Sequence, residues 1–339
     1  MKKFAFFGAL SVLALGAGAA AAGTLDDVKA RGELLCGSNA GLAGFAAPDA
    51  AGVYQGFDIA MCRAIAAAVL GDPMKVKVVP LSSETRFTAL SAGEVDMLAR
   101  TSTWTFSRDT DLKLDFVAVN YYDGQGFMVK KSLGVSSAKE LDGATVCIQT
   151  GTTTELNLAD YFKSNGMTYQ PVPLKDNAEA EQQYSAGACD VYTTDASGLA
   201  ATRATFADAG EHVILPEIIS KEPLALVVRH GDNQWADIVR FTFDALIAAE
   251  EFGITSANVE EMSATVGTNP EINRLLGTEG ELGAMMGLDK DWAKRAIMAG
   301  GNYGEIFAAN IGESTPIGLA RGLNALWTQG GLQYSPPFR

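Results

Sequence analysis

The hydroxyl side chains of Thr101, Ser102, Thr103 and Thr105 stand just ahead of Arg108 in the stretch TSTWTFSRDTD (101–111). A guanidinium is a planar fork that matches a carboxylate in two-point contact. Thr101 and Thr103 offer hydroxyl and backbone donors beside it. Gly151, Thr152 and Thr153 form a second donor-rich turn, reached from Gln149 and opening a helix, whose N-terminus favours anions. Asp195 supplies a negative charge just past another strand, suited to an ammonium. A cation at one end, an anion at the other and hydroxyls between them fit a zwitterion, an α-amino acid. Each residue also has a plainer reading. Arg108 precedes Asp109 and Asp111, partners for a surface ion pair. Thr152–Thr154 can serve as a helix cap, and Asp195 as a cap or turn residue.

The elements that would position these groups follow an alternating plan. GELLCGSN (32–39), MKVKVVPL (74–81) and VDMLA (95–99) read as strands. Between them, GFDIAMCRAIAAAVLG (56–71), with Asp58 as the expected N-cap, and TRFTALSAG (85–93) read as helices. The same order returns in ATVCIQTG (144–151), TELNLADYFKSNG (154–166), TYQPVPL (168–174), AEAEQQYSAG (178–187) and CDVYTTD (189–195). This predicts two α/β lobes, each a parallel sheet covered by helices. SAGEVDMLART (91–101) echoes SAGACDVYTTD (185–195), so Thr101 and Asp195 fall at matching positions past strand ends, where open α/β sheets bind ligands. GQGFMVKK (124–131) enters the second lobe and EPLALVVRHGD (222–232) leaves it, two hinge-crossing strands over a cleft. The predicted division is 23–127 plus 228–339 for the first, discontinuous lobe and 128–227 for the second. From about residue 235 the chain reads as a helical extension packed on the first lobe.

The first residues read as an address. Lys2 and Lys3, an apolar run from Phe4 to Leu15 and a small-residue stretch ending near Ala22 match a signal peptide over 1–22. The apolar run is shorter than the ~20 residues a bilayer span needs. Loss of Lys2 and Lys3 takes the formal charge from −14 to −16, a surface that repels phosphate backbones and argues against nucleic acid. Export favours disulfides among Cys36, Cys62, Cys147 and Cys189. Four cysteines allow three pairings. One bond per lobe, Cys36–Cys62 and Cys147–Cys189, is preferred, with free buried thiols as the alternative. Enzyme signatures are nearly absent. His212 and His230 have no metal-ligand spacing, and there is no GxSxG, P-loop or post-strand GxGxxG. No catalytic residue, cofactor or metal is expected.

With these motifs in place, the chain resembles the periplasmic solute-binding proteins of polar amino-acid ABC transporters. The likeness is greatest to the general L-amino-acid and glutamate/glutamine/aspartate/asparagine-binding branch. It is carried by GFDIAMCRAIA, RFTALSAGEVDMLARTSTWTFSRD, IQTGTTTELNL, TTDASGLA and the ending GNYGEIFAANIG…GLNALWTQGGLQY, across essentially the whole mature chain. The resemblance implies a two-lobed type II binding protein, a monomer working with inner-membrane permease subunits in the periplasm. It implies that Arg108 clamps the ligand α-carboxylate with Thr103 and Thr152, and that Thr101 and Asp195 hold the α-ammonium. It implies side-chain reading by Arg86 with Ser83. Departures stand at Phe45, without the family's usual aromatic platform, at Asn39, where some acidic binders carry another arginine, and at Asn177, where those carry a histidine. One side-chain arginine and two neutral amides predict tolerance of Glu, Gln, Asp and Asn, and more broadly of other L-amino acids.

Two rivals share the fold class. A periplasmic dehydratase of aromatic amino-acid precursors would need a general acid or base in the cleft, for which Glu84 beside Ser83 is the candidate. A receptor ectodomain would need a transmembrane span, and no later stretch approaches that length.

Overall fold

The structure, a computed structural model, describes residues 23–339; the signal peptide expected over 1–22 lies outside them. In chain order the strands are β1 (Leu34–Ser38), β2 (Ala47–Pro48), β3 (Tyr54–Gln55), β4 (Val76–Pro80), β5 (Met97–Thr103), β6 (Leu114–Asp123), β7 (Gln125–Lys130), β8 (Thr145–Gln149), β9 (Gln170–Leu174), β10 (Val191–Asp195), β11 (His212–Ile214) and β12 (Glu222–Arg229). The helices are α1 (Thr24–Arg31), α2 (Phe57–Leu70), α3 (Arg86–Ser91), α4 (Phe106–Thr110), α5 (Thr153–Ser164), α6 (Asn177–Ser185), α7 (Ala196–Thr205) and α8 (Asn233–Glu251). Then come α9 (Val259–Met262), α10 (Pro270–Leu275), α11 (Leu282–Met285), α12 (Trp292–Gly300) and α13 (Tyr303–Asn310).

Two five-stranded sheets form, in the orders β4-β1-β5-β12-β6 and β11-β7-β10-β8-β9. Each has three parallel strands continued by antiparallel ones, β12 beside β5 and β7 beside β10. The echo in the sequence is an echo in space. Gly93 (φ +76°) and Gly187 (φ +77°) make the same left-handed turn, a conformation glycine adopts without steric cost. Three residues on, Asp96 accepts the Leu35 N–H at 2.8 Å and Asp190 accepts the Thr145 N–H at 3.0 Å, each tying its strand to the parallel neighbour.

β12 is bonded from Glu222 to Arg229 within the first sheet, against β6. The return crossing therefore comes just before Glu222, ahead of the expected 227/228 boundary, because the strand pairs with β6 from Glu222 onward. The outward crossing lies at Gly124, between β6 and β7. One helix start also differs. Gly56 is the N-cap of α2, and Asp58 turns inward, buried, where Asn120 Nδ2 donates to it at 3.2 Å.

The first lobe's main core gathers Leu34, Phe57, Ile65, Leu226, Trp235, Leu246, Trp292 and Phe307 from the sheet, α2, α8, α12 and α13. Much of the C-terminal extension thus completes this core: α12 lies along α2, and Phe338 near the terminus is buried. The second lobe is smaller, with Phe127, Ile148, Leu158 and Phe162 on one sheet face and Met128, Tyr184, Tyr192 and Leu199 on the other. The structure pairs Cys36 with Cys62 and Cys147 with Cys189, one bond in each lobe.

Candidate functional site

The carboxyl ends of β5 and β10 face each other across the cleft and line a shared cavity. Ten of the expected site residues line it: Asn39, Ser83, Arg86, Thr101, Thr103, Gln149, Thr152, Thr153, Asn177 and Asp195. β5 reaches the cavity through an irregular backbone. Thr101 has φ +39°, uncommon for a β-branched residue and held in place by its surroundings. Asn39 Nδ2 donates to Thr101 Oγ1 at 3.1 Å and fixes the hydroxyl.

Arg86 and Asp195 mark the two electrical ends. Arg86 is 3 % exposed, its guanidinium lies 4.7 Å from the Phe87 ring, and its Nε has no partner among the described residues. Burial pushes its pKa well down, Arg100 and Arg108 push the same way, and Asp195 opposes them. Asp195 sits half-buried at the start of α7, yet its carboxylate caps no helix N–H. Burial, then Asp123 and Glu222, hold its pKa well above the ordinary carboxylate range. A buried cation and a carboxylate without a cap bond are therefore presented to one cavity. Gln149 Nε2 is also buried there without a partner among the described residues.

The plainer readings do not describe these residues. Thr152 occupies the N-cap position of α5 but makes no side-chain cap bond; its hydroxyl donates back to Gln149 O at 2.7 Å. Asp109 accepts from Trp104 Nε1 instead of pairing with Arg108.

Three expected residues stand outside the cavity lining. Arg108 springs from α4, where Thr105 caps its N–H, and donates through Nη1 to Thr103 O at 2.9 Å. Its guanidinium stacks 5.0 Å from the Phe87 ring, directly behind the end of β5. Gly151 faces Glu84 at the contact between lobes. Phe45 is fully buried against Phe57 and Tyr121 and is no cleft platform. The tight turn bridging Leu42 and Ala46 rolls Phe45 into the core and leaves Leu42 on the cavity wall.

Arg100 was not expected. It lines the cavity 5 % exposed, donating from Nε to Leu81 O at 3.0 Å and from Nη2 to Ser83 Oγ at 3.2 Å. Strict alternation would send Arg100 and Thr101 to opposite faces; the left-handed turn at Thr101 lets both reach the cavity. The signal is present: an arginine directly after the apolar run Met97–Ala99, still within the strand, has to be paired or functional. Thr154, Tyr192, Thr194, Ser197 and Gly198, also unexpected, complete the second-lobe wall.

Glu222 holds the two walls together. Its carboxylate accepts from Thr103 Oγ1 of the first lobe and, in the second, from Thr153 Oγ1 at 3.0 Å and Asn157 Nδ2 at 2.7 Å. A second bridge runs from Thr150 Oγ1 to Glu84 Oε1 at 2.8 Å. Glu84 is exposed and does not line the cavity, so it is not placed as the general acid a dehydratase would need. Among the described residues no group of three or more His, Cys, Asp or Glu is placed to hold a metal ion, and no helix is long and apolar enough to cross a membrane.

The family model described as bacterial extracellular solute-binding proteins, family 3, matches residues 34–257. The glutamate/glutamine/aspartate/asparagine-binding protein BztA of Rhodobacter capsulatus is 74 % identical over 339 residues, covering 100 % of both chains. The general L-amino acid-binding periplasmic protein AapJ of Rhizobium johnstonii is 58 % identical over 329 residues, 97 % of this chain and 96 % of its own. Among solved structures, an ABC transporter periplasmic binding protein from Brucella ovis with glutathione bound superposes with a TM-score of 0.91 at 56 % identity, covering 94 % of this chain and 100 % of that one.

Proposed function

Because the chain belongs to the bacterial extracellular solute-binding proteins of family 3, we propose that it captures polar L-amino acids in the periplasm and delivers them to the inner-membrane permease of an ABC transporter. Glutamate, glutamine, aspartate and asparagine are its ligands. The observation that carries this reading is the pairing of Arg86, buried with an unpartnered Nε, and an uncapped Asp195 across one hydroxyl-lined cavity. Asp195 and Thr101 take the α-ammonium. Thr103 and Thr152 take the α-carboxylate, with Arg108 reaching it from beside Thr103, whose carbonyl it bonds, and Arg86 with Ser83 meets the side chain. Only the closed form presents both walls to one ligand, so ligand shifts the hinge equilibrium toward closure, and the permease reads the closed shape. The protein is exported by its first 22 residues and acts as a monomer, without nucleic acid.

Calorimetry on protein unfolded and refolded to remove carried-over ligand tests this. The twenty L-amino acids are titrated, with glutathione added because the Brucella ovis relative carries it. Tight binding of Glu or Gln, and a loss of at least ~2 kcal/mol in Arg108→Ala because a buried carboxylate loses its charged partner, is the expected result. No heat from any amino acid would end the transport reading and turn attention to turnover of prephenate or arogenate.

A further inference from the structure

Arg100 alters what the far end of the cavity can accept. Two guanidiniums, Arg86 and Arg100, line it together, both almost wholly buried. Arg100 is fixed by its bond to Leu81 O, and Ser83 Oγ accepts from its Nη2. A serine hydroxyl that accepts from a guanidinium has its own proton free for another acceptor. Arg86 Nε and Gln149 Nε2, the cavity-lining atoms buried without partners among the described residues, are donors too. The charge opposing Arg100 most strongly is Asp58, and burial favours that carboxyl's neutral form, lifting its pKa to about 7. Arg100 itself, drawn down by burial to about 10, stays charged at neutral pH. Arg86, Arg100 and Ser83 thus turn donors toward the ligand side chain.

We propose that Arg100, with Arg86 and Ser83, makes the distal subsite an acceptor-selecting pocket that ranks ligands by side-chain charge. Glutamate and aspartate bind above glutamine and asparagine, and lysine and arginine are rejected. This rests on the amino-acid-binding reading above and deepens it. An ionised carboxylate satisfies these donors with both oxygens. A side-chain amide satisfies them with one and turns its NH2 toward guanidinium N–H groups. A cationic side chain would bury a third positive charge beside two, which costs more than pocket contacts return. Arg100 is therefore a specificity-determining residue.

The test titrates Glu, Gln, Asp, Asn, Lys and Arg into the ligand-stripped wild type, Arg100→Gln and Ser83→Ala. In the wild type Glu should bind at least ~10-fold more tightly than Gln, with Lys and Arg giving no heat. Arg100→Gln should weaken Glu about 10- to 50-fold and Gln less than ~3-fold, so that the Glu/Gln ratio collapses. Ser83→Ala should lower the ratio in the same direction by a smaller factor. Near-UV circular dichroism checks each variant's fold. If Arg100→Gln does not fold, the wild-type ranking and Ser83→Ala decide. A wild type that binds Gln as tightly as Glu, or variants that weaken both equally, overturns the proposal and leaves the transport reading standing. A wild type that binds none of the six overturns both.

Discussion

On the first-lobe wall of the cleft, β5 ends in Arg100, Thr101 and Thr103, with Arg86 and Arg108 against the Phe87 ring. On the second-lobe wall, β10 ends in Thr194 and Asp195, followed by Ser197 on α7, and no guanidinium lines that side. Both strands leave a left-handed glycine turn, both are tied to a parallel neighbour by an aspartate, and both have an antiparallel strand on the other side. The same scaffold has thus been given opposite charge. The repeat supplies position, and the residues beyond each strand supply chemistry. A ligand with an anionic end and a cationic end is satisfied only when both walls reach it, which is how binding and closure become one event.

The largest effect that would break this comparison comes from exchanging the charges one at a time. Asp195→Asn should weaken every α-amino acid about 10²- to 10³-fold by leaving the ammonium without its counter-charge. Arg86→Met should cost glutamate and aspartate about 10²-fold while sparing small neutral ligands, if any bind. A ligand-blind loss on the second-lobe wall and a ligand-selective loss on the first, measured by calorimetry, is the expected pattern. Equal losses for all ligands in both variants would show that the walls do not divide the work.

The cores differ as well, and the disulfides sharpen that difference. Cys147–Cys189 closes 42 residues and Cys36–Cys62 closes 26. Chain-entropy arguments give each about 3–4 kcal/mol. The second lobe has the smaller core, without the C-terminal helices that reinforce the first. Paired Cys→Ala replacement at 147 and 189 should therefore lower the melting temperature more than replacement at 36 and 62, and should expose second-lobe amides first in hydrogen exchange.

Much of this was legible in the sequence. The βαβ alternation, the echo around Asp96 and Asp190 and the placing of Thr101, Thr103, Thr152, Thr153 and Asp195 follow from local pattern, because strand ends and helix starts are set by nearby glycines, caps and apolar periodicity; Asn39, Ser83, Arg86 and Asn177 come from the family resemblance. What was not legible depends on contacts far along the chain. Phe45 follows the first strand, where the resemblance implies a ligand contact even without the usual platform; only its packing on Phe57 and Tyr121 shows that it lies in the core. Arg100 reaches the cavity only through the backbone turn at Thr101, which propensity does not predict. The run EPLALVVR reads as a strand leaving the second lobe, but its place in the first sheet depends on pairing with β6, about a hundred residues away in the chain.

Glu222 joins the two walls through protein contacts, and its removal tests how closure is shared between protein and ligand. Its bonds to Thr103, Thr153 and Asn157 hold the closed arrangement. Glu222→Gln removes the charge from all three while keeping the shape. The free protein should shift toward the open form, with a larger radius of gyration by small-angle scattering. Ligand affinity should fall about 10-fold, since ligand must then supply what the latch contributed. An unchanged radius would mean that the bridge follows closure and does not favour it.

The smallest expected effect separates the walls by pH. Burial, then Asp123 and Glu222, raise the Asp195 pKa, while Arg86 and Arg108 lower it; neighbouring Asp123 is itself lifted to about 6. In the free protein these carboxyls hold protons that an unfolded chain would release. Their contribution to stability is fully present below the ordinary carboxylate pKa and is lost as pH rises through the raised value. An α-ammonium favours the ionised form, so binding drives the proton off. Affinity should therefore rise with pH through the raised carboxyl range and then level. Glutamine is the ligand to use, because its side chain does not titrate. The gap in melting temperature between bound and free protein should widen over the same interval. Asp195→Asn should flatten this limb, while Arg86→Met should keep it and move it to higher pH, because Arg86 lowers the Asp195 pKa but does not itself titrate there. A limb that survives Asp195→Asn would move the response to Asp123, and with it the assignment of the ammonium partner.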